Sequence, residues 1–532
     1  MSQILSSFRK RPQRFIGLLF LVLLSLYLLL EAFFSLQWRM MHDAPLILYP
    51  VFLLDHFGLV PYRDVFTNTF PGTLLLELGV ARLFGYGDAA FRGVDLAWLA
   101  LLLASAWIIV RGFGRRSAWA AAALFGVAYL NGGQVLSFQR DYIGLLPVAA
   151  GVATAVSRRG PLWLRSWLMG LFFGLATAVK PHLGLGLPLV GLFLVWDTVA
   201  EGEGGKAAGT FLRVVVFAAL GLALPLIGVF VWVWRLGAWE AYREMISVYI
   251  PLYLGMTGDH VTIRGMRRWL YLARSYGQLG GHGLWLLPAG LGVYLLLFRA
   301  GSPPRLRRRV LLLLGLTVAY SVYVVLGGKF WNYHWVPFLF FVLLLAAVVL
   351  ADGIDESGTF WQRLFPLLTL VLAAVLSFPP TVDFVAQTFG SPPRQPNDGR
   401  VDEIATYLQE HLKPGDTVQQ IDWTGGATQA MLIAGARMAT PYMEDYVFYH
   451  HVSHPYIQKQ RRRFIEALQR TRPRFIIYVS DTPRPRGFDT STDFPELETL
   501  LDRDYVVVKQ GDGYKIYERF RCDCEAPAET GG

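Results

Sequence analysis

A polytopic α-helical membrane protein with a small α/β domain outside the bilayer is the fold class that the sequence predicts, on three observations. Of 532 residues, 54% are hydrophobic and only 17% are charged, too little charge to coat the soluble domains that such a length would otherwise make. The apolar residues come in blocks of about 20, the length of a membrane-crossing helix. From about residue 400 the pattern changes to short strands and amphipathic helices. The mean hydropathy of +0.39 agrees with the first two. These observations exclude an ordinary soluble enzyme, a disordered chain and a fibrous protein.

The blocks predict about eleven spans: 15–36, 91–110, 117–131, 141–157, 162–179, 183–199, 211–234, 282–298, 310–327, 334–351 and 362–378. The first follows Arg9, Lys10, Arg11 and Arg14. It is too long for the apolar core of a signal peptide and no small-residue cleavage site follows, so it reads as a retained helix. With the N-terminus inside, the groups Arg111/Arg115/Arg116, Arg158/Arg159/Arg165, Lys206/Arg213 and Arg299 with Arg305/Arg307/Arg308/Arg309 are cytoplasmic, as positive charge prefers. Segment 235–281, with Arg235, Arg243, Arg264, Arg267, Arg268 and Arg274, breaks that rule. Either the count is off by one there, or those cations serve a ligand. The Gly-rich Glu201–Gly205 reads as a cytoplasmic linker.

An odd number of spans leaves the C-terminal part outside. The expected organisation is a transmembrane domain over 1–380, a Pro/Gly-rich linker over 381–399, an extracytoplasmic α/β domain over 400–520 and a tail over 521–532. Within the α/β domain, Val401–Leu412, Phe464–Gln469 and Glu496–Leu501 have helical periods. Thr417–Ile421, Phe475–Val479, Asp504–Lys509 and Tyr514–Glu518 read as strands. Asp422-Trp423 and Tyr446–His451 are either acceptor contacts or fold contacts.

The net charge of +10, from 49 Lys and Arg against 39 Asp and Glu, lies in short patches between apolar blocks. That distribution sets topology and does not make a nucleic-acid face. The two cysteines, Cys522 and Cys524, both fall in the tail, and a Cys-x-Cys pair is not by itself a zinc site. Phosphate-loop, nucleophile-elbow and His-Glu-x-x-His motifs do not occur.

The first outer loop, 37–90, is long for a connection, and ordered loops of that length are usually functional. Leu46–Phe57 and Thr73–Phe84 are too short to span and suit two helices lying in the membrane interface. Asp43 then falls at headgroup level just after the first span. A carboxylate near the bilayer is costly and so is a functional candidate; capping the next helix is its structural alternative.

The residues His42-Asp43, Gly58-Leu59-Val60-Pro61-Tyr62-Arg63-Asp64 and Phe70-Pro71-Gly72-Thr73 resemble the first periplasmic loop of the C-type (GT-C) superfamily of membrane glycosyltransferases. The likeness is to the branch of the protein O-mannosyltransferases and the lipid A aminoarabinose transferase. The resemblance implies a sugar donor on a polyprenyl phosphate and an acceptor hydroxyl on a lipid, glycan or protein. It implies transfer at the outer face of a bacterial inner membrane, with Asp43 as the base and inversion at the anomeric carbon. Many relatives carry a second acid beside the catalytic one. Asp43 is instead flanked by His42 and Ala44, so a single-carboxylate mechanism is expected, and a divalent metal is left open.

Cations must stabilise the departing phosphate. Lys180, Lys329, Arg63, Arg140 and His334 are the candidates, with Asp64, Tyr62 and Tyr333 as supporting or sugar-binding residues. Lys180 interrupts two apolar runs with no acid nearby; snorkelling to headgroups is its structural alternative. Lys329, Tyr333 and His334 form a polar and aromatic cluster that an interfacial aromatic belt explains only in part. The outer segment 235–281 either gates the acceptor or lies on anionic lipid. Competing functions are a polyprenyl-lipid or polysaccharide flippase and a non-catalytic envelope assembly subunit. No nucleic-acid partner is expected.

Overall fold

The computed structural model describes residues 12–203, 205–298, 302–352, 360–378 and 396–520. The basic N-terminal flank through Arg11, the linker up to 395 and the tail with Cys522 and Cys524 lie outside the described residues. The chain divides into two compact units, one of residues 1–44, 69–236 and 264–393, the other of 45–68, 237–263 and 394–532.

The first unit is helical. A helix lies over each of the eleven predicted spans: Pro12–Phe34, Asp88–Val110, Arg115–Asn131, Arg140–Ser157, Leu162–Val179, Leu187–Ala200, Ala207–Arg235, Leu286–Phe298, Pro304–Gly327, Val336–Ala347 and Phe360–Ser377. Counted with their flanking turns, seven of the described helices are long and apolar enough to cross a membrane, or eight with one bent pair. This marks a multi-pass membrane protein. The stretch read as a span over 282–298 belongs to that pair, in which Met266–Gly281 and Gly283–Phe298 meet at 67°. The break falls at Gly280 and Gly281, both with positive φ (60° and 82°). A Cβ on Gly280 would stand 2.6 Å from the Trp335 ring, so only glycine fits the turn.

Burial ranks the helices by position. Residues 333–350 are buried throughout, whereas only 22% of the apolar stretch in Phe15–Gln37 and in Ala207–Arg235 is buried, and these two turn apolar side chains outward, as lipid-facing helices do. Arg115–Asn131, rich in alanine, is buried over most of its length. Leu162–Val179 packs on Ala207–Arg235 through Gly170-Leu171-Phe172-Phe173-Gly174. A Cβ on Gly174 would lie 2.6 Å from the Leu222 carbonyl oxygen and 2.6 Å from Pro225, and one on Gly170 would overlap the Ala218 backbone. Small residues at this spacing let two membrane helices approach closely.

The second unit is built on a five-stranded mixed sheet in the order β3-β2-β4-β7-β6. Its strands are β2 (Thr417–Ile421), β3 (Arg437–Met438), β4 (Phe475–Val479), β6 (Tyr505–Gly511) and β7 (Tyr514–Arg519). The strands β2, β3 and β4 run parallel, and β7 is antiparallel to both β4 and β6. Helices Pro396–His411, Pro455–Thr471 and Pro495–Asp504 cover the predicted helical stretches, and Ala427–Ile433 is an additional one.

This unit is not confined to the C-terminal sequence. β1 (Val261–Thr262) pairs with β5 (Arg486–Gly487), the Phe66 amide donates to the Pro441 carbonyl at 2.6 Å, and Tyr49 donates to the Ala436 carbonyl at 2.8 Å. Two excursions of the earlier chain thus satisfy their backbone and tyrosine groups on the C-terminal fold. Asp422 accepts from the amides of Trp423, Gly425 and Ala427 and from the Thr482 hydroxyl, which makes it a fold contact that shapes the turn after β2. Tyr446, Val447 and Phe448 are buried likewise.

Candidate active site

Asp43 opens the helix Asp43–Phe57, where the unpaired amides of a helix N-terminus favour a negative charge. Its side chain is 11% exposed. Arg140 donates to Oδ2 at 3.3 Å, the Tyr333 hydroxyl donates to the same oxygen at 3.2 Å, and His42 Nδ1 stands 2.8 Å from Oδ1. Burial pushes the carboxyl up, but the charges of His42 and Arg140 and the donors around it win, holding it well below the usual carboxylate range. His42 is pushed down by burial and up by Asp43, with a net rise. Asp43 is therefore an ionised carboxylate in a nearly dry setting.

Arg140 begins the helix Arg140–Ser157, and the next residue carries the second half of the cluster. Lys180 Nζ donates to both oxygens of Asp141 at 2.9 Å, and the Tyr323 hydroxyl donates to Oδ1. The expectation of a lysine with no acid nearby is corrected: Asp141 is 39 residues away in sequence but in contact, because the helices Arg140–Ser157 and Leu162–Val179 run antiparallel and bring the start of one to the end of the other. Lys180 follows the last turn of its helix, where a cation meets the negative end of the dipole. It also lies 5.3 Å from the centre of the Tyr323 ring.

Tyr333 and His334 come from the short turn Asn332–Trp335. His334 is 6% exposed, and its Nδ1 has no hydrogen-bond partner among the described residues. An unsatisfied buried ring nitrogen beside two cation–carboxylate pairs suits a place where a polar ligand docks. Lys329 is 3% exposed and lies 5.8 Å from the Trp331 ring centre. Burial, with Arg268 adding, pushes its ammonium down to about 7, so it is poised to gain a proton when an anion arrives.

The first unit thus brings together Asp43, Arg140, Tyr333, Lys180 and His334, with Lys329 on the turn leading into Tyr333. Tyr62, Arg63 and Asp64 belong to the second unit. There the Asp64 carboxylate accepts from the Val60 amide at 2.9 Å and from Arg63 at 2.8 Å, closing a tight turn, and Tyr62 packs edge-on against Tyr242 at 5.1 Å. Asp141 and Tyr323 complete the cluster and were not singled out from the sequence. The adjacent Arg140-Asp141 pair at a span end was the visible signal for the first. Tyr323 stands in an apolar run and carried none.

Glu77 is a further buried acid. It lies one turn beyond Thr73, which donates to the Val179 carbonyl at 3.1 Å, and burial pushes it up to about 8. Among the described residues, no three His, Cys, Asp or Glu side chains gather as a metal would require. Asp43 and Asp141 are both engaged with cations, Arg140 and Lys180 respectively.

Comparison with solved structures gives a similar fold over most of the chain. ArnT from Cupriavidus metallidurans bound to undecaprenyl phosphate superposes with a TM-score of 0.57 at 14% identity, covering 94% of this chain and 98% of that one. The fold is similar to that of ArnT. ArnT in the apo state gives 0.56 at 14% identity, over 93% of this chain and 97% of that one. The apo oligosaccharyltransferase of Archaeoglobus fulgidus gives 0.50 at 12%, over 94% and 75%. No family model and no curated protein matches the sequence. The sequence expectation put the base at Asp43, the acidic residue that follows the first long helix.

Proposed function

We propose that this protein is a membrane glycosyltransferase that moves a sugar from a polyprenyl-phosphate carrier to an acceptor hydroxyl at the outer face of a bacterial inner membrane, with inversion. One observation carries the reading: an ionised, buried Asp43 shares its site with Arg140, Lys180 and His334 in a GT-C fold. One side of such a site can accept a proton and the other can hold a phosphate, as the transfer demands.

In the resting site Arg140 is bound to Asp43, which makes that carboxylate a weak base. A donor phosphate competes for Arg140 and Lys180 through charge-assisted hydrogen bonds. As Arg140 turns to the phosphate, Asp43 loses a cation that depressed it and its affinity for protons rises. The acceptor oxygen then attacks the anomeric carbon from the face opposite the phosphate. Its proton passes to Asp43, the bond from carbon to phosphate oxygen breaks, and the electron pair leaves with the polyprenyl phosphate. Arg140 and Lys180 stabilise the charge that builds there, with His334 Nδ1 available to hydrogen-bond it. Tyr333 keeps Asp43 oriented.

The test has two parts. A mass spectrum of lipid retained by the purified protein is expected to show a polyprenyl phosphate. With a matched donor, Asp43→Asn is expected to lower turnover by about 10²–10⁴-fold while lipid retention is unchanged. A protein that retains no such lipid, or an Asp43→Asn variant as active as the parent, overturns the reading.

A further inference from the structure

The helix Arg140–Ser157 carries the Asp43 cluster at its start, and its 18 residues span about 27 Å at 1.5 Å per residue. That is close to the thickness of a bilayer core. At its far end lies a cavity of about 750 Å³ whose lining includes Arg111, Arg115, Arg305, Arg309, Trp107 and Leu306. Four guanidinium groups border it, and no carboxylate does among the described residues. Among the described residues, two acids at this end are engaged elsewhere. Asp197 pairs with Arg158 at 2.7 Å and Arg308 at 2.9 Å, and Asp352 faces Arg116 at 3.8 Å. The side chains of Arg111, Arg115 and Arg305 make no ion pair or hydrogen bond among the described residues.

We propose that this cavity binds the phosphate headgroup of an anionic membrane lipid. An excess of arginine in loops is enough to set topology, but this cavity is more constructed than that. Arg309 is 8% exposed and donates to the Val156 carbonyl at 2.6 Å, so its position is fixed by the helix end it caps. Gly112 lies so close that a Cβ there would overlap the Arg309 guanidinium, and the absence of a side chain is what lets that charge reach the cavity. Guanidinium forks match phosphate oxygens in pairs. Trp107 and Leu306 supply apolar wall where a lipid's glycerol and first acyl carbons would lie, at the depth where basic pockets between membrane helices meet headgroups. The inference stands independently of the transferase reading, because none of these residues belongs to the Asp43 cluster.

The experiment uses the full chain. Purified protein is mixed with phosphatidylglycerol or phosphatidylcholine, and retained lipid is counted by native mass spectrometry, with sodium phosphate as a separate probe in a thermal-shift assay. Wild type is expected to retain phosphatidylglycerol in preference to phosphatidylcholine. The pair Arg111→Gln/Arg305→Gln is expected to weaken that retention by about tenfold or more. Gly112→Leu, which fills the cavity without removing a charge, is expected to do the same. Equal retention of the two lipids by wild type overturns the proposal, and that measurement needs no variant to fold. So does preference unchanged in both variants, and so does protection by inorganic phosphate without any preference between the lipids.

Discussion

Removing one member of the Asp141–Lys180 pair should destabilise the helical unit far more than removing both. Lys180 Nζ lies 2.9 Å from each Asp141 oxygen, and the Asp141 side chain is fully buried while that of Lys180 is 16% exposed. At an effective dielectric of about 20, unit charges at that separation attract by about 6 kcal/mol. Desolvation of the two ions takes back much of this, so the intact pair adds little net stability. A broken pair is different, because the surviving charge keeps its desolvation cost without its partner. Asp141→Asn or Lys180→Met alone should therefore cost about 3–5 kcal/mol, while the double variant should recover most of the loss and give a large coupling energy. The assay is a double-mutant cycle on unfolding in detergent, followed by circular dichroism. Single variants that each cost under about 1 kcal/mol and simply add would refute the buried pair as the organiser of this end of the bundle.

Three further outcomes follow from the same geometry. Gly174→Leu should force the helices Leu162–Val179 and Ala207–Arg235 apart and destabilise the unit by about 1–3 kcal/mol, seen as a lower melting temperature, whereas the same change at open Gly209 should be nearly silent. Lys329, held near 7 by burial and Arg268, binds protons less readily folded than unfolded. Stability should therefore rise between about pH 7 and the ordinary lysine value of about 10.4, and Lys329→Met should flatten that rise in pH-dependent melting. Glu77, raised to about 8, has the opposite sign. It keeps its proton when folded and loses it when unfolded, so stability should fall as pH climbs from about 4.3 to 8, and Glu77→Gln should remove the fall.

Much of the fold was legible because a bilayer imposes a rule on sequence: a spanning backbone must bond internally and cover itself with apolar side chains. Helices therefore lie over all eleven apolar blocks, and the strands Thr417–Ile421 and Phe475–Val479 have the bounds that period and flanking turns predicted. Less legible was the end of the outer segment 235–281, where a helix over Met266–Gly281 meets the block read as the span 282–298 at 67°. Hydropathy averages over a window and does not register two adjacent positive φ angles. The placement of Pro45–Asn68 and Gly237–Ile263 in the unit of the C-terminal sheet was also hidden. It rests on backbone bonds such as Phe66 to Pro441, which no local pattern announces.

The candidate site divides along the same line. Sequence alone determined its chemical types: an acid directly after the first span, and cations and aromatic groups at the ends of later ones, each conspicuous because charge is costly near lipid. Tertiary structure decided who pairs with whom. It set Arg140 and Tyr333 on Asp43, turned Asp141 and Tyr323 toward Lys180, and left His334 Nδ1 without a partner among the described residues. The physical reason is range. Burial cost is a property of one residue and shows in composition, whereas a hydrogen bond over 2.9 to 3.3 Å depends on how antiparallel helices bring distant residues to a common end.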